Sequence, residues 1–307
     1  GHPQEDYFNM YRIDDKSDLK EAVLYVDYKT DIREHNMAAA GREAGCGFSK
    51  SFVESFLCSD GLPISLSNKY LGDETMRKET ANRDPRLKQL ILTNDFPTNV
   101  TDDLKDSTFV VNEDEFITQH CFTGYRPIKG FNPIYSQALY MKSSFDGIAY
   151  RYAETLLINA EAKAELNTIT DADLDRTINQ LRDRVGMPHL TVNVGFTDPK
   201  WPDWGYSLSP ILQEIRRERC IELAGEGFRF NDLKRWKAGK VLNNVLTYVG
   251  KRKPDGNLAI VYPNYTNPDL SYQAGKSRTW EDKMYLYPIP TGELQRNPQL
   301  LPQNPGW

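Results

Sequence analysis

The pattern of apolar positions is most regular between residues 147 and 243, where it predicts helices. Apolar residues recur at every fourth position in a first stretch, at Ile148, Tyr152, Leu156, Ala160 and Ala164. This spacing places their side chains on one face of a helix. Alanines on and beside this face would let a second helix approach closely.

A second helix is predicted directly after the first. Its apolar positions are Leu174, Ile178, Leu181 and Val185, and Asp171 lies near its start. Gly186 and Pro188 then provide the stop signals that commonly follow a helix. Two adjacent amphipathic helices joined by a short loop form a helical hairpin, which is the unit of α-helical repeat proteins.

A third helix is predicted from Ser209, with Ser209 as its cap and Pro210 in its first turn. Outside these helices the pattern is weaker. Residues 19–28 fit either a helix end or a short strand. Residues 250–307 are rich in Pro, Asn and Tyr and predict long ordered loop around a short strand at 285–287. No linker divides the chain, so we expect one domain over residues 1–307.

Composition and charge exclude several classes of function. The formal net charge is -5 over 307 residues, which argues against nucleic acid or an anionic membrane surface as partner. No apolar run is long enough to span a bilayer. Cys46, Cys58, Cys121 and Cys220 lack the spacing of zinc or redox sites and are predicted to be buried thiols. Ligand spacings for a metal are absent, and no cofactor is expected.

The amino end, Gly1-His2-Pro3, lacks an initiator Met and the basic and apolar regions of an export signal. We expect the sequence to be a fragment of a longer protein. Any export signal or lipid-attachment Cys would then lie upstream of it.

Several short motifs run from about residue 56 to the last residue. They are SDGLPI (59–64), NRDPR (82–86), RYAE and NAEA (151–154 and 159–162), INQLRDRVGMP (178–188), EIRRER, ELAGEGFR and DLKRW (214–219, 222–229 and 232–236), YPIP (287–290) and QNPGW (303–307). Together, and in this order, they resemble the motifs of the SusD/RagB family of outer-membrane nutrient-binding lipoproteins.

The resemblance implies a mainly α fold, an α-α superhelix of TPR-like hairpins with long ordered loops and a few short strands. This chain is similar to the carboxyl-terminal part of such proteins. It also implies a surface-exposed lipoprotein of a Bacteroidetes-type outer membrane, attached to the membrane through an upstream lipid anchor. Its expected role is to capture carbohydrate for a TonB-dependent, SusC-like transporter, without catalysis.

The charged residues of the motif block are predicted to be structural. Arg219, Glu222, Glu226 and Arg229 fall three and four positions apart, so we expect them to pair along one helix face. Gly225 and Gly227 fit either a close helix approach or a helix end, and Arg235 beside Trp236 fits a packed indole with a cation near its face. A role of Glu218 and Glu222 as general acid and base is the less favoured interpretation.

Candidate ligand contacts are aromatic residues in loops, because flat rings bind the apolar faces of sugars while nearby polar groups bind the hydroxyls. The segment between the second and third helices ranks first, with Trp201, Asp203, Trp204 and Tyr206. The other candidates are Tyr70, Tyr125 with its neighbour Arg126, and Trp280. Each has an alternative structural role, and Trp307 is predicted to anchor the end of the chain.

Two other functions remain open from sequence alone. The chain could be a peptide-binding or purely protein-docking module of the same transporter complex. A glycoside hydrolase is less favoured, because carboxylates are plentiful but no catalytic motif is present and the four histidines are isolated.

Overall fold

Helices form most of the regular structure in the computed structural model of this protein, which describes residues 2–40, 47–118, 120–260 and 279–307. The α-helices are α1 (Asp6–Arg12), α2 (Met37–Ala40), α3 (Lys50–Ser55), α4 (Met76–Thr80), α5 (Arg86–Leu90), α6 (Tyr152–Glu165), α7 (Asp171–Asp175), α8 (Ile178–Arg184), α9 (Pro210–Glu222), α10 (Phe228–Arg235) and α11 (Thr291–Arg296). Short 3₁₀ turns occupy Glu113–Phe116, Gly239–Asn243, Val245–Thr247, Asp282–Tyr285 and Pro298–Leu300.

The strands form small antiparallel pairs. They are β1 (Ala22–Val26), β2 (Asn99–Val100), β3 (Ser107–Thr108), β4 (Gly147–Arg151), β5 (Val249–Arg252) and β6 (Leu258–Ile260). The pairs are β1 with β4, β2 with β3, and β5 with β6, and the pair of β1 with β4 joins distant parts of the chain. Residues 19–28, for which the sequence allowed a helix end or a short strand, contain the strand β1. Its partner β4 leads directly into α6.

The predicted helical hairpin is present, with two differences. Helix α6 begins at Tyr152, so Ile148 belongs to β4 instead of the helix. The second helix is divided into α7 and α8, which are separated at Arg176 and Thr177. Thr170 caps α7 through a capping box with Asp173. Gly186 ends this part of the hairpin in a left-handed conformation, with φ of 67°.

The third helix begins as predicted. The Ser209 side chain accepts a hydrogen bond from the backbone N–H of Leu212, and Pro210 occupies the first turn. Helix α9 packs against α6, α8 and α3. It is buried almost all round, including Gln213, Glu214 and Arg217. A helix with polar residues on a buried face needs partners for each of them.

Two apolar clusters form most of the core, and a third, smaller one lies at the end of α10. The first cluster includes Tyr7, Phe56 and Leu90 from the amino-terminal half. The second joins α6, α7, α8 and α9. The third contains Trp204, Leu233, Trp236 and Ala238.

Glu222, at the end of α9, is the centre of a buried ion network. It is 0% exposed. One of its oxygens lies 2.6 Å from both Arg151 Nη1 and Arg184 Nη2, and the other lies 2.9 Å from Arg86 Nη1. Burial alone would raise the pKa of Glu222, but Arg184, Arg151 and Arg86 lower that pKa well below its ordinary value.

The neighbouring carboxylates extend the network. Glu218 pairs with Arg86 and with Arg182. Glu226 pairs with Arg151 and with Lys129, each at 2.6 Å. Arg86 also contacts Asp84 at 2.7 Å. The motif stretches at 82–86, 151–154, 178–188 and 214–229 therefore meet in one place.

The predicted pairing among Arg219, Glu222, Glu226 and Arg229 along one helix face is wrong. Helix α9 ends at Glu222, and Gly225 and Gly227 turn the chain with φ of 75° and 84°. Glu226 and Arg229 therefore do not continue the same face.

The partners of these residues come from elsewhere in the chain. Arg219 Nε donates to Asp232 Oδ2 at 2.8 Å. Glu161 accepts from Arg235 at 2.7 Å through both of its oxygens. Arg235 also lies near the face of Trp236, as predicted, with its guanidinium carbon 4.6 Å from the ring centroid.

The predicted strand at 285–287 is also wrong. A 3₁₀ turn ends at Tyr285, and Tyr287 lies in irregular backbone. Trp307 fixes the end of the chain through its indole N–H, which contacts the carbonyl oxygens of Lys283 and Leu286. Cys58 and Cys121 are buried free thiols, and Cys220 is a half-buried one. Cys46 lies outside the described residues.

We expect Arg86→Met to lower the free energy of unfolding by about 3–5 kcal/mol, because Glu218 and Glu222 stay buried but lose the arginine with which both of them pair. Urea unfolding followed by circular dichroism measures this. The control is Arg77→Met, which breaks an exposed pair with Asp95 and should cost about 1 kcal/mol or less. Equal losses in the two variants would show that the network does not stabilise the fold.

Acid should weaken the fold through the same carboxylates. The ordinary pKa of Glu226 is 4.5, and Lys129 and Arg151 lower it in the folded protein against the opposing effect of burial. The stability that Glu226 provides is complete above about pH 4.5 and is lost as the pH falls through the folded pKa.

Glu226→Gln should therefore show a shallower fall in unfolding free energy than the native protein between pH 5 and pH 3. Urea titrations at several pH values measure the two slopes. Parallel slopes would contradict a lowered pKa for Glu226.

Candidate functional site

The loop between α8 and α9, which contains the first-ranked candidates, is held by one turn of α9. Asp198 accepts from Arg217 at 2.6 Å. The Trp204 indole N–H donates to Gln213 Oε1 at 2.6 Å. Side chains from a single helical turn therefore fix both ends of the segment that contains Trp201.

Trp201 is half-buried, and its indole is held in a defined position. Its Nε1 donates to Glu214 Oε1 at 2.7 Å. Its ring centroid lies 6.2 Å from that of Phe196, with the planes tilted by 32°. Trp201 is therefore partly exposed to solvent, while its indole is held in place by Glu214, a buried residue of α9.

A cavity of about 150 Å³ lies beside this indole and is partly open to solvent. It is formed where the Asp60–Leu62 turn meets α8, the loop after α8, and α9. Its walls include Leu62, Arg182, Pro188, Leu190, Phe196 and Glu214.

Glu214 is the unusual member of this wall. It is 0% exposed. Its Oε1 is 3.2 Å from Arg217 Nη2, while its Oε2 has no hydrogen-bond partner among the described residues. Burial raises the pKa of Glu214, although Arg217 and the indole of Trp201 act in the opposite direction.

Trp204 is buried and has a packing role. Its predicted position on an open binding surface is therefore wrong. It is 3% exposed and meets Trp236 edge to face at 5.6 Å. The Arg216 guanidinium lies over both rings, at 5.1 and 4.4 Å. Trp204 therefore takes the alternative structural role that the sequence left open, as a member of the third core cluster.

Tyr206 and Asp203 are exposed. Tyr206 is 42% exposed, but its hydroxyl is engaged: it donates to the Trp236 carbonyl at 2.6 Å and accepts from Arg216 at 2.9 Å. Asp203 accepts from the backbone N–H of Gly205. Both residues belong to the same loop as Trp201.

Tyr125 and Tyr70 lie in a different part of the fold, around the buried Glu79. Tyr125 is fully buried, and its hydroxyl contacts both oxygens of Glu79, at 2.8 and 2.9 Å. The structure thus corrects its expected position on a binding surface, because its polar group satisfies a buried carboxylate. Tyr70 is half-buried beneath the Arg83 guanidinium, 5.3 Å from the ring centroid. Arg126 contacts the ring of Phe131.

Trp280 is half-buried against the 3₁₀ turn that starts at Gly239. A Cβ added to Gly239 would lie 2.0 Å from the indole, so only glycine allows this approach. The indole also meets the ring of Tyr285 edge to face at 5.1 Å. One edge of the indole is thus engaged in packing.

Glu218 and Glu222 do not form a general acid and base pair in this structure, because both are buried and each is paired with at least two arginines. Over the described ranges, no three His, Cys, Asp or Glu side chains cluster as metal ligands. Within the same ranges, no helix has the length and apolarity needed to cross a membrane.

Sequence reasoning did not identify Arg182, Phe196 or Glu214 as neighbours around a cavity. The sequence contained one signal that Glu214 is unusual. It follows Ile211 and Leu212 and precedes Ile215 on a predicted helix, which places a carboxylate among apolar residues. The cavity itself depends on how distant segments pack, which sequence spacing does not show.

We expect Trp204→Ala to lower the free energy of unfolding by about 3–5 kcal/mol, since it empties a packed site and frees the Gln213 amide. Urea unfolding measures the change. The control Tyr140→Ala alters an aromatic side chain that is 74% exposed and should stay within about 0.5 kcal/mol of the native protein. A native-like Trp204→Ala variant would contradict the packing role.

Comparisons with known proteins agree with this architecture. A sequence model of the SusD family matches residues 14–307. The SusD-like protein P2 of Formosa agariphila is 31% identical over 166 residues, which are 54% of this chain and 27% of that protein. A SusD-like protein from Bacteroides fragilis gives a TM-score of 0.68 at 24% identity, covering 100% of this chain and 58% of the other.

A second solved structure, a SusD-like carbohydrate binding protein from Bacteroides fragilis, gives a TM-score of 0.61 at 24% identity. It covers 92% of this chain and 54% of the other. The fold is thus that of the mainly α, SusD-like proteins with helical hairpins and long loops. The chain belongs to the SusD family. It spans just over half the length of these solved structures and about a quarter of the curated relative.

Proposed function

We propose that this protein captures carbohydrate at the cell surface and catalyses no reaction. The observation that carries the proposal is the position of Trp201, a half-buried residue whose indole is fixed by Glu214 and lies near the ring of Phe196. An aromatic face with fixed polar groups around it suits a sugar, whose ring has apolar faces and hydroxyl edges.

Similar proteins support this proposal. One solved relative is described as a SusD-like carbohydrate binding protein, and another is surface glycan-binding protein A of Bacteroides fluxus, with a TM-score of 0.50 at 18% identity. Both likenesses show the fold. The match of the SusD family to residues 14–307 is the stronger argument for extending a capture role to this chain.

We also propose a cellular location and a partner for the whole protein. The whole protein would be a lipoprotein exposed at the outer membrane, held there by a lipid anchor upstream of residue 1. It would pass its ligand to a TonB-dependent, SusC-like transporter. Membership of the SusD family is the support for both statements, and copurification of the whole protein with a transporter from its native membrane tests the second.

We expect Trp201→Ala to raise the dissociation constant for the bound glycan about tenfold or more, because it removes the ring surface. Affinity electrophoresis against a panel of polysaccharides identifies the ligand, and calorimetry measures binding. Trp201→Phe keeps a flat ring but loses the N–H donor, so it should retain more of the affinity than Trp201→Ala.

The control is Trp307→Ala, which removes a 48% exposed indole at the end of the chain. Its affinity should equal that of the native protein. Unchanged binding by Trp201→Ala would remove Trp201 from the site. Retardation in none of the gels would favour a peptide ligand or a docking role for this protein.

A further inference from the structure

One face of α6 is exposed to solvent and carries no charge. Positions three and four residues apart share a helix face, and those on the exposed face of α6 and directly after it are Tyr152, Thr155, Ile158, Asn159, Ala162 and Leu166. The large side chains Tyr152, Ile158 and Leu166 are 48%, 52% and 72% exposed. A helix face that stays in water usually carries charged residues, so this face has the composition of one that packs against another element.

The charged residues beside this face are already paired. Glu165 lies at one edge and contacts Arg216 at 3.0 Å. Lys163 lies at the other edge and contacts Asp173 at 2.7 Å. The strip between the two edges is therefore uncharged along the whole length of α6.

The exposed apolar surface continues onto the strand pair that precedes α6. Tyr150 in β4 is exposed, and so are Val23 and Leu24 in β1. Leu24 lies opposite Tyr150 in the register of the two strands, and β4 leads directly into α6. Exposed apolar residues that occupy neighbouring elements in this way mark a surface that another element covers.

The hairpin that contains α6 indicates what kind of element this is. In helical-repeat proteins each hairpin packs against the next one, and a hairpin at the end of the array has a polar outer face. Helix α6 packs on one side against α8 and α9, and its outer side has no charged residue. It therefore resembles an internal helix of an array, and Ala162 in the middle of the face allows a further helix to approach closely.

Chain length and geometry indicate which segment supplies that helix. The SusD-like structure from Bacteroides fragilis matches all of this chain with only 58% of its own chain, so that protein contains further chain outside the matched part. Pro3 Cβ lies 3.7 Å from the position that a Cβ on Gly186 would take, directly after α8.

The end of α8 lies beside the start of α6. Arg184 of α8 and Arg151, which precedes α6, both lie 2.6 Å from the same oxygen of Glu222. Since Pro3 is also at this end of the hairpin, a segment that precedes residue 1 would reach the fold where the exposed face of α6 begins.

We propose that the uncharged face of α6 is covered, in the whole protein, by an amphipathic helix from the segment that precedes residue 1. The apolar side of that helix packs against Ile158 and Ala162, with Tyr150 and Tyr152 beside its end. Carbohydrate capture is not required for this packing.

Labelling of introduced cysteines in the whole protein tests whether the face is covered. Ile158→Cys places a thiol on the face. The matched control is Val245→Cys, at a residue of the 3₁₀ turn Val245–Thr247 that is 51% exposed, against 52% for Ile158. Mass spectrometry of peptides after maleimide treatment measures each labelling rate separately from the native cysteines.

We expect Ile158→Cys to be labelled about tenfold or more slowly than Val245→Cys, because a packed helix must open before the reagent reaches the thiol. Ala162→Cys is a second variant, which adds a single sulfur atom and should show the same protection. Labelling of both face variants as fast as the control would overturn the proposal. Protection that disappears on dilution would also overturn it, because the occupant would then be a second copy of the protein.

Photocrosslinking identifies the covering segment. p-Benzoylphenylalanine in place of Tyr152 keeps an aromatic side chain at the start of the face. Illumination of the whole protein should produce a crosslink, within one molecule, to a peptide that precedes residue 1. A crosslink to a peptide within residues 1–307, to a second copy or to a transporter would contradict the proposed cover.

Discussion

Burial of Glu222 at the end of α9 is the constraint on which the rest of the fold depends. Removing a carboxylate from water costs several kcal/mol unless it is paired and hydrogen-bonded. Glu222 meets this requirement with Arg86, Arg151 and Arg184, which come from three separate stretches of chain. The observed arrangement of these stretches leaves none of the four charges unpaired, so the burial of Glu222 depends on all three stretches being in place.

Helix α9 connects this network to the candidate site. Its last turn holds Glu218 and Glu222, while the turn before them holds Gln213, Glu214 and Arg217, which bind the loop that contains Trp201. The same helix therefore positions the scaffold charges and the aromatic residue. Glu214 differs from Glu218 and Glu222 because one oxygen of its buried carboxyl group has no hydrogen-bond partner among the described residues.

The sequence predicted the helices α6 to α9, because helix periodicity and capping are local, but it did not predict the short helices α1 to α5 or α11. Ser209 and Pro210 marked the start of α9 correctly. The break at Arg176 and Thr177 was not predicted, because the apolar spacing continues through it. Pairing of Glu222 was misassigned to helix neighbours, since spacing shows which charges share a helix but not which distant arginines the fold brings to them.

The site was less predictable than the fold for the same reason. Trp201 and Trp204 belong to one short, Pro-stiffened segment, and nothing local distinguishes the half-buried indole from the buried one. Gln213 and Trp236, which determine the burial of Trp204, lie elsewhere in the chain. The cavity needs residues from about position 60 to position 214, so its existence follows only from the packing of the whole.

The most direct measurement is a crystal structure of the protein with a short oligosaccharide that binds it. We predict density for a sugar ring beside the indole of Trp201. An oligosaccharide bound instead at Tyr70 or Trp280, with no sugar near Trp201, would contradict carbohydrate capture at the loop between α8 and α9.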